Sequence, residues 1–508
     1  MAADFQSWCE RGRAWARQGR YPDAEVAYRE ALGVRPDDVK ARLELALILR
    51  RQRRPGEAEA VLREAVDLAP DMASAHAELG GVLFEQARYA EAEAAFRRAV
   101  ALRPDFARAH LNLGLALERQ SHYGAAEAAF REALRLTPGD AIAQRNLAAV
   151  LRRQRRPLAA EAVQRQALRR PRDPAAAHAD LAGTLFQQGR LAEAAAEFRE
   201  AIRLRSDDVR ARVGLALTLE REGRLREAVA VCREALGLRP EDGGLHRTLG
   251  VLLRRRHRHG EAAAALREAV RLEPNDAEAH FYLGAVLERQ GHYDAAVATL
   301  GEAIRLRPQW RPPYRSLAMI FRRQGRWADE AATYAAALRR HPDDAELHAA
   351  HGHALGTFGD YAGAAAALRE AVRLRPDDGD FHYELGVALG RRGRHAEAEA
   401  ALREAVRLRP DDIRARANLA LSLGRQNRHV EAEAAYREAL KIRPDHPALY
   451  RGLGVSLYWQ GRPVEAETAF AEAIRRRPAY ARAHADLGEL LAEQRRWDEA
   501  ETAYRTAL

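Results

Sequence analysis

Apolar and small residues return along this chain with two nested periods. The long period is 34 residues, and with the first repeat started at Phe5 the others begin at residues 39, 73, 107, 141, 175, 209, 243, 277, 311, 345, 379, 413, 447 and 481. Leu stands at repeat position 7 in thirteen of the fifteen repeats, Gly or Ala always stands at position 8, and Ala fills position 27 throughout. Position 20 is Ala in all but one repeat, and position 24 is usually Phe, Tyr or Leu, as at Tyr28, Phe96, Phe130 and Phe470. The short period is helical. At about 100° per residue, positions 4, 7, 8 and 11 share one helix face, and positions 20, 24 and 27 share a face of a second helix. Each repeat is therefore predicted to be a helical hairpin, with small residues at 8 and 20 allowing close backbone approach.

The punctuation agrees with the hairpin. Position 15 is Gly in eight repeats, where a left-handed residue would end the first helix. Pro recurs at position 32, from Pro36 to Pro478, with Arg172 and Ser206 as the two interruptions of the clock. It is often followed by paired aspartates (Asp37 and Asp38, Asp411 and Asp412). Proline stops one helix and aspartate caps the next.

These residues carry a resemblance to the tetratricopeptide repeat family from Phe5 to Leu508, without an insertion. The resemblance implies an all-α fold: a right-handed solenoid of about fifteen stacked hairpins, forming a single array whose last repeat is truncated and whose first helices line a concave groove. Its length is similar to that of the arrays attached to O-linked N-acetylglucosamine transferases and certain bacterial sulfotransferases. The asparagine ladder of the transferase arrays would need Asn at position 6, which holds Asn only at Asn112, Asn146 and Asn418. The carboxylate clamp of chaperone-binding members needs paired Lys and Asn at set positions in successive repeats, and the chain has only two lysines, Lys40 and Lys441. Neither specialised groove chemistry is expected. Block duplication is visible too, because the run from Leu49 to Pro55 returns 102 residues later as Leu151 to Pro157.

Charge sharpens the picture. Lys and Arg total 83 against 73 Asp and Glu, a formal net charge of +10. On the wheel, positions 2, 9 and 13 of the first helix lie at about 180–220°, opposite a core centred near about 30°. Position 13 is Arg in ten repeats: Arg17, Arg51, Arg119, Arg153, Arg221, Arg255, Arg289, Arg323, Arg391 and Arg425. Position 2 adds Lys40, Arg108, Arg210, Arg414 and Arg482, and position 9 adds Arg13. Sixteen basic residues against six acidic ones put the whole surplus on this face. Position 9 otherwise supplies an apolar floor of Leu47, Leu115, Leu217, Val251, Met319, Val387, Leu421 and Val455. Guanidinium groups flanking such a floor suit a peptide that is both acidic and apolar, because Arg pairs bidentately with carboxylates. A solvated face is the plainer alternative, since Arg near a helix C-terminus is favoured by the dipole alone.

Two departures stand out. Glu330 replaces the Ala of position 20, and His351 replaces the Leu of position 7 in the next repeat. With His348 and His353 nearby a metal cluster can be imagined, but His348 occupies a position that is His in eight repeats and His353 points to the opposite side of its helix. A weak repeat junction is the preferred reading, with no metal or cofactor. Cys232 sits at the aromatic position 24 and is expected to be an inert buried thiol, whereas Cys9 is expected to be reachable. No phosphate-binding loop, metalloprotease motif or nucleophile with a partnered base is present.

The sequence thus predicts a cytoplasmic, non-enzymatic interaction scaffold that binds acidic and apolar protein segments, with no membrane span. One alternative, from family analogy, is the substrate-recruiting arm of a glycosyl- or sulfotransferase whose catalytic domain lies elsewhere. Another is a polyanion binder, disfavoured because the face offers few stacking aromatics beyond Phe84, Phe186, Tyr458 and Trp459. The final repeat ends at position 28 without a capping helix, leaving Tyr504, Ala507 and Leu508 to suggest end-to-end association.

Overall fold

The computed structural model describes residues 2–169, 171 and 173–508, so Arg172, one of the interruptions of the proline clock, lies outside the described residues. Thirty helices and no strand occur among the described residues, two helices for every 34-residue repeat. The chain divides into two compact units, residues 1–256 and 257–508. The division falls inside the eighth repeat, between its helices Gly243–Arg255 and His259–Leu272.

Each hairpin forms for the reasons visible in its sequence. Helix Val39–Arg51 starts at Asp38, whose carboxylate accepts from the Ala41 amide at 2.8 Å. Asp208 and Asp242 cap their helices in the same way. The first helix of every repeat ends at a left-handed residue at position 15. Eight of these are the predicted glycines, and the other seven are Arg53, Ala87, Ser121, Arg155, His257, Asn427 and Arg495, with φ between 58 and 62°. The turn geometry is thus set by the hairpin rather than by glycine, at a backbone cost of about 1–2 kcal/mol wherever a non-glycine adopts it.

Inside the hairpin, position 8 meets position 24. A Cβ placed on Gly114 would stand 2.6 Å from the Phe130 ring, and one on Gly454 2.6 Å from Phe470. Glycine is required there by close approach, and both rings are almost wholly buried. In the first unit the core is continuous from Ala24 to Ala160. Smaller separate clusters occur in both units, such as Leu181, Leu185 and Ala194 in the first and Ala318, Ala331, Tyr334 and Ala354 in the second.

Position 4 has a role beyond the core face. His76 Nε2 lies 2.8 Å from the carbonyl of Pro70, and His246 and His484 repeat the contact with Pro240 and Pro478. Gln144 and Tyr314 donate to Pro138 and Pro308, each at the end of the preceding repeat. Position 4 therefore ties the loop proline to the next helix. The chemistry is carbonyl recognition, which several donor types satisfy.

Candidate functional site

Within each unit the first helices of neighbouring repeats pack side by side through most of the series, forming a wall that displays positions 2, 9 and 13. All ten position-13 arginines are exposed, as are Lys40, Arg108, Arg210 and Arg414. Among the floor residues, Leu47, Leu217, Met319 and Leu421 are exposed, whereas Leu115, Val251, Val387 and Val455 are half-buried. The helical wheel thus places these residues correctly with respect to the core.

The wall is not a uniform positive strip, because five of the ten arginines meet the side chain at position 12 of the preceding repeat. Arg119 lies over the Phe84 ring at 5.9 Å, and Arg221 over Phe186 at 4.0 Å. Arg153 pairs with Glu118 at 3.8 Å, Arg255 with Glu220 at 3.0 Å and Arg323 with Glu288 at 2.9 Å. Where position 12 is itself Arg, the partners exchange, and Arg50 reaches Glu85 at 2.5 Å. At position 2, Arg210 lies 3.6 Å from Asp180, and Arg414 pairs with Asp412 at 2.9 Å. Much of the apparent surplus is therefore spoken for inside the wall.

Repeats 11 to 13 differ. Position 12 there is Gly356, Gly390 and Gly424, so nothing rises beneath Arg391 and Arg425. Among the described residues these two arginines make no ion pair or ring contact; the same holds for Arg17, Arg51 and Arg289, but only Arg391 and Arg425 stand in adjacent repeats with glycine at the preceding position 12. Packing does not require the glycines: a Cβ on Gly356 would meet only Ala364 Cβ at 3.8 Å, and one on Gly390 would find its neighbours at 3.9 Å. The repeat alignment contains this signal, since positions 12 and 13 of several successive repeats are complementary (Phe84 and Arg119, Glu118 and Arg153, Glu220 and Arg255), but it emerges only when the two positions are compared across repeats.

A second network, on the second helix, is likewise revealed by the structure. Glu59 at position 21 accepts from Gln86 Nε2 at 2.9 Å and Arg88 Nη1 at 2.8 Å, both in the next repeat. Glu25, Glu161, Glu399 and Glu433 make the same contacts with their own Gln and Arg partners. Burial alone would raise the Glu59 carboxyl, but hydrogen bonds from Arg63, Gln86 and Arg88 more than offset it and hold it below its ordinary value. In the middle repeats this position is Ala195, Val229, Ala263, Val297, Ala331 and Ala365, and the lock is replaced by apolar packing.

The two departures from the repeat pattern sit beside each other in sequence but are stabilised differently. Glu330 is 1% exposed, and its Oε1 accepts from Arg322 Nε at 2.8 Å and Nη2 at 2.5 Å, while Oε2 has no hydrogen-bond partner. The carboxylate is therefore not unpaired. His351 is half-buried, and burial, aided by His348, pushes its pKa down. His348 is engaged by the Pro342 carbonyl at 2.8 Å, as in other repeats, and His353 is exposed. Cys9 corrects the expectation of reachability. It is 6% exposed beneath Phe5, Trp8 and Leu32, and burial raises its thiol. Cys232 is buried, with burial pushing its thiol to about 12.

Tetratricopeptide repeat models match residues 6–30, 247–309, 314–346, 349–413, 417–473 and 452–508, together more than half of the chain. The chain belongs to the tetratricopeptide repeat family. The intervening residues 35–239 match the model of the cilia and flagella-associated protein 70 C-terminal domain. No curated protein matches the chain significantly. Among solved structures, the chain is similar to one in the crystal structure of the APC/C hetero-tetramer Cut9–Hcn1, at 15% identity over 96% of each chain with a TM-score of 0.44. It is also similar to MamA, at 23% identity over 33% of this chain and 92% of that one, with a TM-score of 0.31. A third is YrrB, titled a TPR protein with an unusual peptide-binding site, at 22% identity over 36% and 95% with a TM-score of 0.33. The repeats support a protein-interaction scaffold in general terms. Among the described residues, no helix is long and apolar enough to cross a membrane.

Proposed function

We propose that this tetratricopeptide array is a non-enzymatic scaffold that binds acidic protein segments carrying apolar residues, and that the contact is concentrated on the first helices of repeats 11 to 13. One observation carries the reading. Arg391 and Arg425 stand in adjacent repeats over glycine, without an ion pair or ring contact among the described residues, next to half-buried Val387 and Leu421, which is 51% exposed. A carboxylate arriving there gains a guanidinium without displacing an existing partner, whereas at Arg153 or Arg255 it would compete with Glu118 or Glu220. The polyanion reading is weakened by the same geometry, because Arg119 and Arg221 already cover the Phe84 and Phe186 rings that would stack bases.

The test is fluorescence anisotropy with a labelled twelve-residue peptide of alternating Glu and Leu. The double variant Arg391→Glu/Arg425→Glu should weaken binding at least about tenfold, the equivalent of one lost charge-assisted contact. Arg153→Glu/Arg255→Glu should change affinity about twofold at most, because those arginines are engaged internally. Equal effects of the two pairs would overturn the location, and unaltered binding in both would return the face to a solvated surface.

A further inference from the structure

The first helices of repeats 10, 11 and 12 (Arg311–Arg323, Ala345–Phe358 and Gly379–Arg391) enclose a cleft of about 820 Å³. Its middle helix contributes Glu346, Leu347, Ala349, Ala350 and His353. The acidic groups Glu288, Asp344 and Glu346 on the lining are already paired with Arg323, Arg311 and Arg375, which leaves the unpaired charges to the two flanking helices. Their chemistry is opposite. On one side are Arg315 and Arg322, seven residues apart and so on one helix face. Their helix neighbours are occupied, Arg311 with Asp344 and Arg323 with Glu288. Arg322 is fixed by two bonds to Glu330, which use its Nε and Nη2. Nη1 makes no bond there, and the side chain remains 36% exposed. Arg315 is exposed and, among the described residues, has no ion pair.

On the other side Glu384 lines the cleft. It is half-buried and makes no hydrogen bond or ion pair among the described residues. Burial first, then the neighbouring Asp380 and Asp378, push its carboxyl up, against the weaker pull of Arg414 and Arg322. Those neighbours are themselves engaged. Asp380 pairs with Arg409, Asp378 caps its helix, and Arg414 pairs with Asp412. A half-buried carboxylate without a partner is unfavourable, and an arriving cation would relieve it. Met319 and Leu347 supply apolar lining between the two charges.

We propose that this cleft is a bipolar subsite, taking an acidic side chain against Arg315 and Arg322 and a basic side chain against Glu384 from one bound peptide segment. The inference rests on the scaffold reading above and adds what that reading lacks, a place where a basic residue is selected within an otherwise acidic ligand. Prior fixation of Arg322 favours the contact, because less side-chain freedom is lost on binding. The charges on opposite walls also orient the segment, since reversing the peptide would set like charges together.

The experiment uses the full 508-residue chain and the all-acidic Glu/Leu peptide, compared with a series in which one Lys is walked through the Glu positions. At least one register should bind about tenfold more tightly than the parent, as expected for a charge-assisted contact to a half-buried carboxylate. That gain should vanish in Glu384→Gln, a nearly isosteric change whose folding is checked by circular dichroism. Arg315→Gln should weaken the parent and the preferred register alike. If no register exceeds the parent, or if the gain survives Glu384→Gln, the subsite is overturned while the scaffold reading stands. If neither the parent nor any register binds, both fall.

Discussion

Arg221 and Arg425 occupy the same position of their repeats and are both exposed, but their surroundings differ. Arg221 lies 4.0 Å over Phe186, whereas the residue at the corresponding place before Arg425 is Gly390. Residue type along a repeat face is therefore a poor guide to a binding site. The side chain one repeat earlier decides whether such an arginine has a contact within the wall. The same lesson holds on the second helix, where Glu59 and Ala365 share a position but one joins repeats by a charged lock and the other by apolar contact.

The largest effect is expected where the wall is tied downward instead of sideways. Glu330→Ala removes the partner of Arg322 and should cost about 1.5–3 kcal/mol, the range for hydrogen bonds to a charged group, because Arg322 is 36% exposed and is not left as a buried charge. Glu330→Gln, which keeps shape and part of the hydrogen bonding, should cost less. Chemical denaturation measures both, and a more stable Glu330→Ala protein would show that the pair is merely tolerated.

Rebuilding one region in the image of the other comes next. Gly390→Phe should place a ring beneath Arg425, as Phe186 lies beneath Arg221, and reduce affinity for the acidic peptide about three- to fivefold, in line with an exposed cation–π contact. Unchanged affinity would separate the availability of Arg425 from what lies under it.

Acid should distinguish the two kinds of repeat junction. The folded-state pKa of Glu59 and Glu399 is depressed, so their contribution is present above the unfolded carboxylate value and is lost as pH falls through the folded one. Amide exchange followed from about pH 6 down to about pH 3 should show protection falling earlier at the locked junctions than around Ala195 or Ala365. Parallel loss at both would mean that the locks add little. The smallest effect belongs to Gly390→Ala, which should raise stability by about 0.5–1 kcal/mol, because the added methyl meets only ordinary contacts and the helix gains propensity. A loss in thermal denaturation would show that the glycine serves packing.

The sequence by itself determined the hairpin. Helix starts at Asp38 or Asp208, the left-handed turn at position 15 and the pairing of Gly114 with Phe130 all depend on residues within one 34-residue period. Fifteen copies read against each other make such local rules unmistakable. The exposed face was legible for the same reason, since a helix wheel needs no knowledge of its neighbours. Tertiary structure alone decided the partners. Glu59 finds Arg88 29 residues on, and Arg50 finds Glu85 35 residues on. Such meetings depend on how one hairpin is offset on the next and on which rotamer a long arginine adopts, neither of which the period specifies. It also decided that Glu330 is paired, that Cys9 is covered, and that the cleft beside Arg315 and Glu384 exists, because side chains from three helices must converge before a cavity has walls.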